Sequence, residues 1–192
     1  ADFHSLTIRR ADLDGSNSEE VVTPGLRRAR NLLLDAPRRR FRWIEGNAEL
    51  AAIRSIDLKL GEMTSWTAPF LERAQGLVID PHNDTVYWSD IGRKAIFRAR
   101  INGANAEQVV SIAPRFAVDI ALDIAHSDIY WAALWLDGSR IQRTNLSHIQ
   151  IHDVITHPAG GITSLTVDPV FDKLYWTTVY PPSVQRADCD GS

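Results

Sequence analysis

Residues Asp84 to Asp90 read DTVYWSD, a Tyr-Trp pair set directly against Ser-Asp, with Asp80 just upstream. One such stretch fits a sugar-stacking platform or a strand end equally well, and recurrence decides between them. Trp43, Trp88, Trp131 and Trp176 sit in FRWIEG, YWSDIG, YWAALW and YWTTVY, at gaps of 45, 43 and 45 residues. Eight residues before each Trp stands an Asp: Asp35, Asp80, Asp123 and Asp168. A second motif has five copies, starting at Ile8 (IRRADLDGS), Ile53 (IRSIDLKLG), Ile96 (IFRARINGA), Ile141 (IQRTNLS) and Val184 (VQRADCDGS). A repeat of this period signals stacked or radially arranged units.

Residues 76–110 show one unit. GLVID is a short, nearly all-apolar run, as in a strand covered on both faces. PHND is rich in turn formers, TVYWSD is a second strand, and IGRK carries the Gly of a second turn. AIFRARI alternates apolar and polar residues, NGAN is a tight-turn signal, and EQVV makes a short fourth strand. Four antiparallel strands in about 43 to 45 residues form a meander of propeller-blade length. No long helical periodicity occurs. Such a meander cannot bury both faces alone, and radial closure hides them. The expected fold is an all-β propeller of four-stranded antiparallel blades, about four to five of them represented. The units are 1–23, 24–69, 70–114, 115–157 and 158–192, the first and last partial. The Trp of strand two fills the wedge between blades, each ring burying about 150–250 Å². The recurring Asp holds the following turn through its backbone amides.

The 192 residues carry 44% hydrophobic and 23% charged side chains, in the globular range. A net charge of −3 gives no whole-chain case for nucleic acid. The single cysteine, Cys189, excludes an internal disulfide framework. No apolar run approaches the ~18 residues that a helix needs to span a bilayer.

IDPHNDTVYWSDIGRKAIFRARINGANAEQVV (Ile79 to Val110), with the terminal RRADLDGS and QRADCDGS pieces, resembles the YWTD repeat. That is the low-density-lipoprotein-receptor class B repeat, and the resemblance covers essentially the whole chain. Asp90 is the only Asp in the motif's final position, Glu45 partly substitutes in the first copy, and FRWIEG lacks the Tyr. Family propellers usually have six blades, whereas this chain holds four copies of strands one, two and four and five of strand three. Either residues 1–23 complete the blade begun by residues 158–192, with one third strand to spare, or, as preferred here, the ends are open strand edges completed by further sequence or by self-association. The resemblance implies an extracellular setting and a protein partner. That partner docks on the face made by the loops between strands four and one and between strands two and three. Arg28, Phe70, Arg73, Arg115, Phe116, Trp135 and Tyr180 lie on these loops, and Arg and aromatic residues dominate binding hot spots. Phe70 and Phe116 have a second reading as inter-blade core.

Two other functions compete. A glycan-binding propeller would repeat one pocket in every blade gap, but the loops differ between blades (WLDGSR against IGRK). A channel-mouth enzyme of the lactonase type would line the start of strand one with metal ligands. Those positions are Asn31, Gly76, Asp119 and Ser164, with one carboxylate among them. No GxSxG, HExxH, P-loop or dinucleotide motif occurs, so no cofactor, metal or catalytic residue is expected. His148, His152 and His157 fall on turn and strand, where their spacing offers no close chelate, and read as surface histidines. Arg27, Arg28 and Arg30 lie at one rim and Arg38, Arg39, Arg40 and Arg42 at the other. They form no single phosphate-binding stripe and read as solvated rims. Asn83 and Asn145 head glycosylation sequons.

Overall fold

A computed structural model describes residues 7–22, 26, 29–46, 51–68, 70–136, 138–157 and 161–192, the side chain of His157 excepted. The strands are β1 (Ile8–Arg10), β2 (Glu19–Val22), β3 (Arg30–Asp35), β4 (Arg40–Glu45), β5 (Ala52–Asp57), β6 (Met63–Trp66), β7 (Ala74–Asp80), β8 (Thr85–Asp90) and β9 (Ala95–Arg100). They continue as β10 (Glu107–Ser111), β11 (Phe116–Asp123), β12 (Asp128–Trp135), β13 (Gly138–Asn145), β14 (His152–His157), β15 (Ile162–Asp168), β16 (Lys173–Val179) and β17 (Pro182–Asp188). Three four-stranded antiparallel meanders, β3–β6, β7–β10 and β11–β14, are flanked by the pair β1–β2 and the three-stranded sheet β15–β17. The innermost strands β3, β7, β11 and β15 touch in succession, which makes the sheets blades of a β-propeller. Both outlying third strands, β1 and β17, stay in their own sheets: β1 pairs with β2 and β17 with β16.

The core lies between blades. Trp43, Trp88 and Trp131 are fully buried and Trp176 is 5% exposed. Trp88 joins Ile44 and Ile53 of the preceding blade, Trp131 joins Tyr87 and Ile96, and Trp176 joins Tyr130 and Ile141. Trp43 packs against Ile8 and Val22 of the two-stranded sheet. The Tyr and Trp of each YW pair face opposite sides of a strand, so one strand supplies apolar surface to both neighbours.

The turns between strands one and two repeat a backbone conformation. Arg39, Asp84, Ser127 and Asp172 hold equivalent places, all left-handed, with φ between 51° and 57°. Asp80 accepts hydrogen bonds from the His82 and Asn83 amides, Asp123 from the His126 amide, and Asp168 from the Val170 and Phe171 amides. Asp35 departs from this pattern, taking the guanidinium groups of Arg38 (3.3 Å) and Arg42 (3.4 Å) instead. The reading of this arginine cluster as a solvated rim therefore needs correction at Arg38, Arg40 and Arg42, while Arg39 is exposed. Arg42 is only 5% exposed, Arg40 pairs with Asp57, and Arg38 donates to the Pro81 carbonyl and pairs with Asp84 of the next blade. A buried carboxylate at Asp35 requires a matched cation, and the cluster supplies it.

Candidate binding face

The residue two places after each repeat Trp decides how its loop is held. In the second full blade this is Asp90, fully buried, whose Oδ2 accepts from the amides of Glu72 and Arg73 at 2.8 Å each. Its Oδ1 accepts from the Arg93 amide at 3.0 Å. One carboxylate thus ties the loop between strands four and one to the loop between strands two and three, which places both at one rim. In the preceding blade Glu45 takes the Trp43 indole N–H at 3.0 Å and lies 3.2 Å from the Arg54 guanidinium. The next two blades carry Ala133 and Thr178 at this place. Without a carboxylate clamp, their loops turn apolar side chains outward: Trp135 is 36% exposed, Leu136 94%, Val179 39% and Tyr180 73%. Thr178 closes its loop by donating to the Pro181 carbonyl at 2.6 Å.

The sequence candidates divide accordingly. Trp135 and Tyr180 stand on these adjacent loops, and the Lys94 ammonium lies 5.2 Å from the centroid of the Trp135 ring, a cation–π distance. Arg73 is exposed, with its backbone held by Asp90. Arg115 is half-buried; burial pushes the Asp153 carboxyl up, but hydrogen bonds from Gln142 and Arg140, with the charges of Arg140 and then Arg115, hold it below its ordinary value. Phe116 is half-buried at the start of β11, opposite Leu134. Phe70 belongs to the core: its ring stacks on Phe97 at 5.1 Å and 9°, within the Trp88 cluster. Of its two readings, binding residue and inter-blade core, the stacking favours the second, and the ring stays half-buried. Arg28 lies outside the described residues. Leu136 and Val179 escaped the sequence reading, although the missing motif Asp in their blades was a visible signal.

Charge at this rim is uneven. Among the described loop residues the cations Arg73, Arg93, Lys94, Arg115 and Arg140 outnumber the carboxylates Glu45, Glu72 and Asp90, of which Glu45 and Asp90 are buried, while the chain as a whole carries −3. Arg93 pairs with Glu72 at 3.0 Å, and Arg140 with Asp153.

The channel positions serve packing. A cavity of about 320 Å³ runs along the inner strands past Asn31, Asp119 and Ser164. Asp119 Oδ2 accepts from the Ser164 hydroxyl (2.7 Å) and the Leu165 amide (3.0 Å), and its Oδ1 from the Ile120 amide (2.9 Å). Asn31 donates to the Gln75 carbonyl at 2.8 Å. A Cβ at Gly76 would lie 2.7 Å from the Ile120 nitrogen, so only glycine admits this close approach of β7 to β11. Each residue of the set therefore joins one inner strand to the next, and both Asp119 oxygens are occupied. Among the described residues no group of three His, Cys, Asp or Glu side chains is arranged to hold a metal ion.

No family model matches the chain. It is similar to a vitellogenin receptor of Solenopsis invicta, 24% identical over 152 residues that cover 76% of this chain and 8% of the receptor. It is also similar to protein cueball of Drosophila simulans (27% over 134 residues, 63% of this chain, 20% of that protein) and of Drosophila willistoni (24% over 179 residues, 84% and 27%). The chain thus spans only a small part of the length of these relatives. Among solved structures it resembles a chain of a nidogen/laminin complex with a TM-score of 0.83 at 17% identity, covering 96% of this chain and 71% of that one. A gluconolactonase of Xanthomonas campestris matches with a TM-score of 0.78 at 13% identity, covering 100% of this chain and 68% of the enzyme.

Proposed function

We propose that this chain, a β-propeller of the YWTD (low-density-lipoprotein-receptor class B) type, is a non-enzymatic, extracellular protein-binding module. It uses the rim formed by the loops between strands four and one and between strands two and three. The observation that carries the proposal is the exposure of Trp135, Leu136 and Tyr180 on two adjacent loops that lack the carboxylate clamp. Large apolar side chains at a polar rim are the usual anchors of a protein interface. The surrounding cations select the partner's chemistry: an acidic segment presenting an apolar or aromatic side chain to Trp135 and Tyr180. Its docking is steered by Arg73, Lys94 and Arg115 and weakened by salt. The likeness to a chain from a nidogen/laminin complex supports a protein partner. The engagement of both Asp119 oxygens within the fold argues against the lactonase alternative.

Selection of peptides from a random library on the immobilised chain tests this. Acidic sequences with an apolar anchor are expected, bound less well at high salt and lost with Trp135→Ala or Tyr180→Ala. Binders indifferent to both substitutions but lost with Phe171→Ala, at the opposite rim, would overturn the choice of face. Retention by glycans alone would favour the lectin reading.

A further inference from the structure

The two Asn-X-Ser/Thr sequons, Asn83-Asp84-Thr85 and Asn145-Leu146-Ser147, use their side-chain amides differently. An N-linked sugar replaces one of the two hydrogens on Nδ2 and leaves the other. Asn145 Nδ2 donates to the His126 carbonyl at 2.9 Å and to Asp128 Oδ1 at 2.8 Å, so both hydrogens are committed. Its Oδ1 accepts from the Ser147 amide at 2.9 Å, and the whole side chain is half-buried. A sugar there would break the bridge that joins the turn after β11 to the end of β13. Asn83 is exposed on the turn between β7 and β8, and its Nδ2 donates once among the described contacts, to Asp80 Oδ2 at 2.7 Å. Its second N–H is available, and the Asp80 bond survives substitution of the other hydrogen. Thr85 Oγ1 donates to the Asn83 carbonyl at 3.0 Å.

Beside Asn83 lies a polar cavity of about 330 Å³, lined also by Thr85, Arg98, Arg100, Asn105 and Glu107. Donors and acceptors of both signs suit a ring bearing hydroxyl and acetamido groups. The turn stands at the rim opposite the proposed binding face, so a glycan there leaves that face open.

We propose that Asn83 is an N-glycosylation site and that Asn145, despite its sequon, is a structural residue that the folded protein keeps unmodified. The donor is a lipid-pyrophosphate-linked oligosaccharide. The Nδ2–C1 bond forms as the C1–O bond to pyrophosphate breaks, the lipid pyrophosphate leaves with the bonding electrons, and Nδ2 loses one proton to base. The inference rests on the extracellular setting of the proposed function and is independent of the binding partner.

The test is expression of the full chain behind a secretion leader in a eukaryotic host, with glycosidase-dependent mass mapping of the folded, secreted fraction. One glycan, on Asn83, is expected. Thr85→Ala deletes the sequon while keeping the Asn83–Asp80 bond, and is expected to abolish the whole glycosidase-sensitive mass shift. Ser147→Ala deletes the second sequon while keeping every Asn145 hydrogen bond, and is expected to change neither glycan mass nor yield. Asn145→Gln displaces the amide and is expected to lower the secreted yield. A folded fraction without sugar on Asn83, or with sugar on Asn145, overturns the proposal.

Discussion

At the scale of single residues, chemically similar side chains do different work according to what closes over them. Trp88 is fully buried, with Phe97 stacked at 5.7 Å and Trp66 edge-on at 5.9 Å. Trp88→Ala is expected to cost about 3–5 kcal/mol, through lost burial and the cavity left behind. Trp135→Ala removes an exposed ring and is expected to stay within about 0.5 kcal/mol of the parent. Denaturant midpoints of the two variants check both, and a comparable loss at Trp135 would assign it to the core. His126 is a second case. The hydrogen bond from its ring to Asp123, at 2.7 Å, and then the charge of that carboxylate raise its pKa above the ordinary value of 6.5. A group whose folded pKa is raised adds stability that is full below its unfolded pKa, and loses it as pH climbs through the folded one. Proton NMR is expected to show His126 titrating above its ordinary value, with the midpoint falling back in Asp123→Asn. An unchanged midpoint in that variant would remove the Asp123 account.

At the scale of the element, the turn between strands one and two carries a fixed geometry on variable residues. All four left-handed positions hold a residue other than glycine, and Arg39 has the longest side chain of the four. The left-handed region costs an L-residue roughly 1–2 kcal/mol, and glycine returns about half of that in lost chain entropy. Arg39→Gly is therefore expected to stabilise the protein by about 0.5–1 kcal/mol, read as a raised denaturant midpoint with unchanged slope. Arg39 is exposed, and its backbone carbonyl accepts from the Leu58 amide whatever the side chain. A destabilised variant would mean that the arginine side chain supports the turn.

At the scale of the whole molecule, each blade is finished by its neighbour. Ile8, Ile53, Ile96 and Ile141 occupy one repeat position and are 0–1% exposed, whereas Val184, their equivalent on β17, is 76% exposed. The face of β15–β17 bearing Tyr175 and Val184 is the side that in other blades receives the next Trp. Among the described residues β17 is hydrogen-bonded on one side only, to β16, while β13 is bonded on both. Alternate amides of β17 are therefore expected to exchange much faster than those of β13 in dilute solution. Protection along all of β17 that weakens on dilution would instead show a second copy pairing with this edge.

The 43-to-45-residue spacing of Trp and Asp determined the repeat, the strand order within each unit and the radial fold. These follow from local alternation and from the need of a two-sided apolar meander for neighbours on both faces. The sequence also located the loops of the candidate face. Which loop residues stand free was settled only by tertiary contacts. Phe70 and Tyr180 look alike in the chain, yet one stacks on Phe97 in a blade gap and the other is 73% exposed. Arg42 and Arg73 read alike as rim arginines until Asp35 closes on the first. Exposure belongs to the space between blades, and that space is defined by residues about 45 positions apart, whose side chains no local pattern orients.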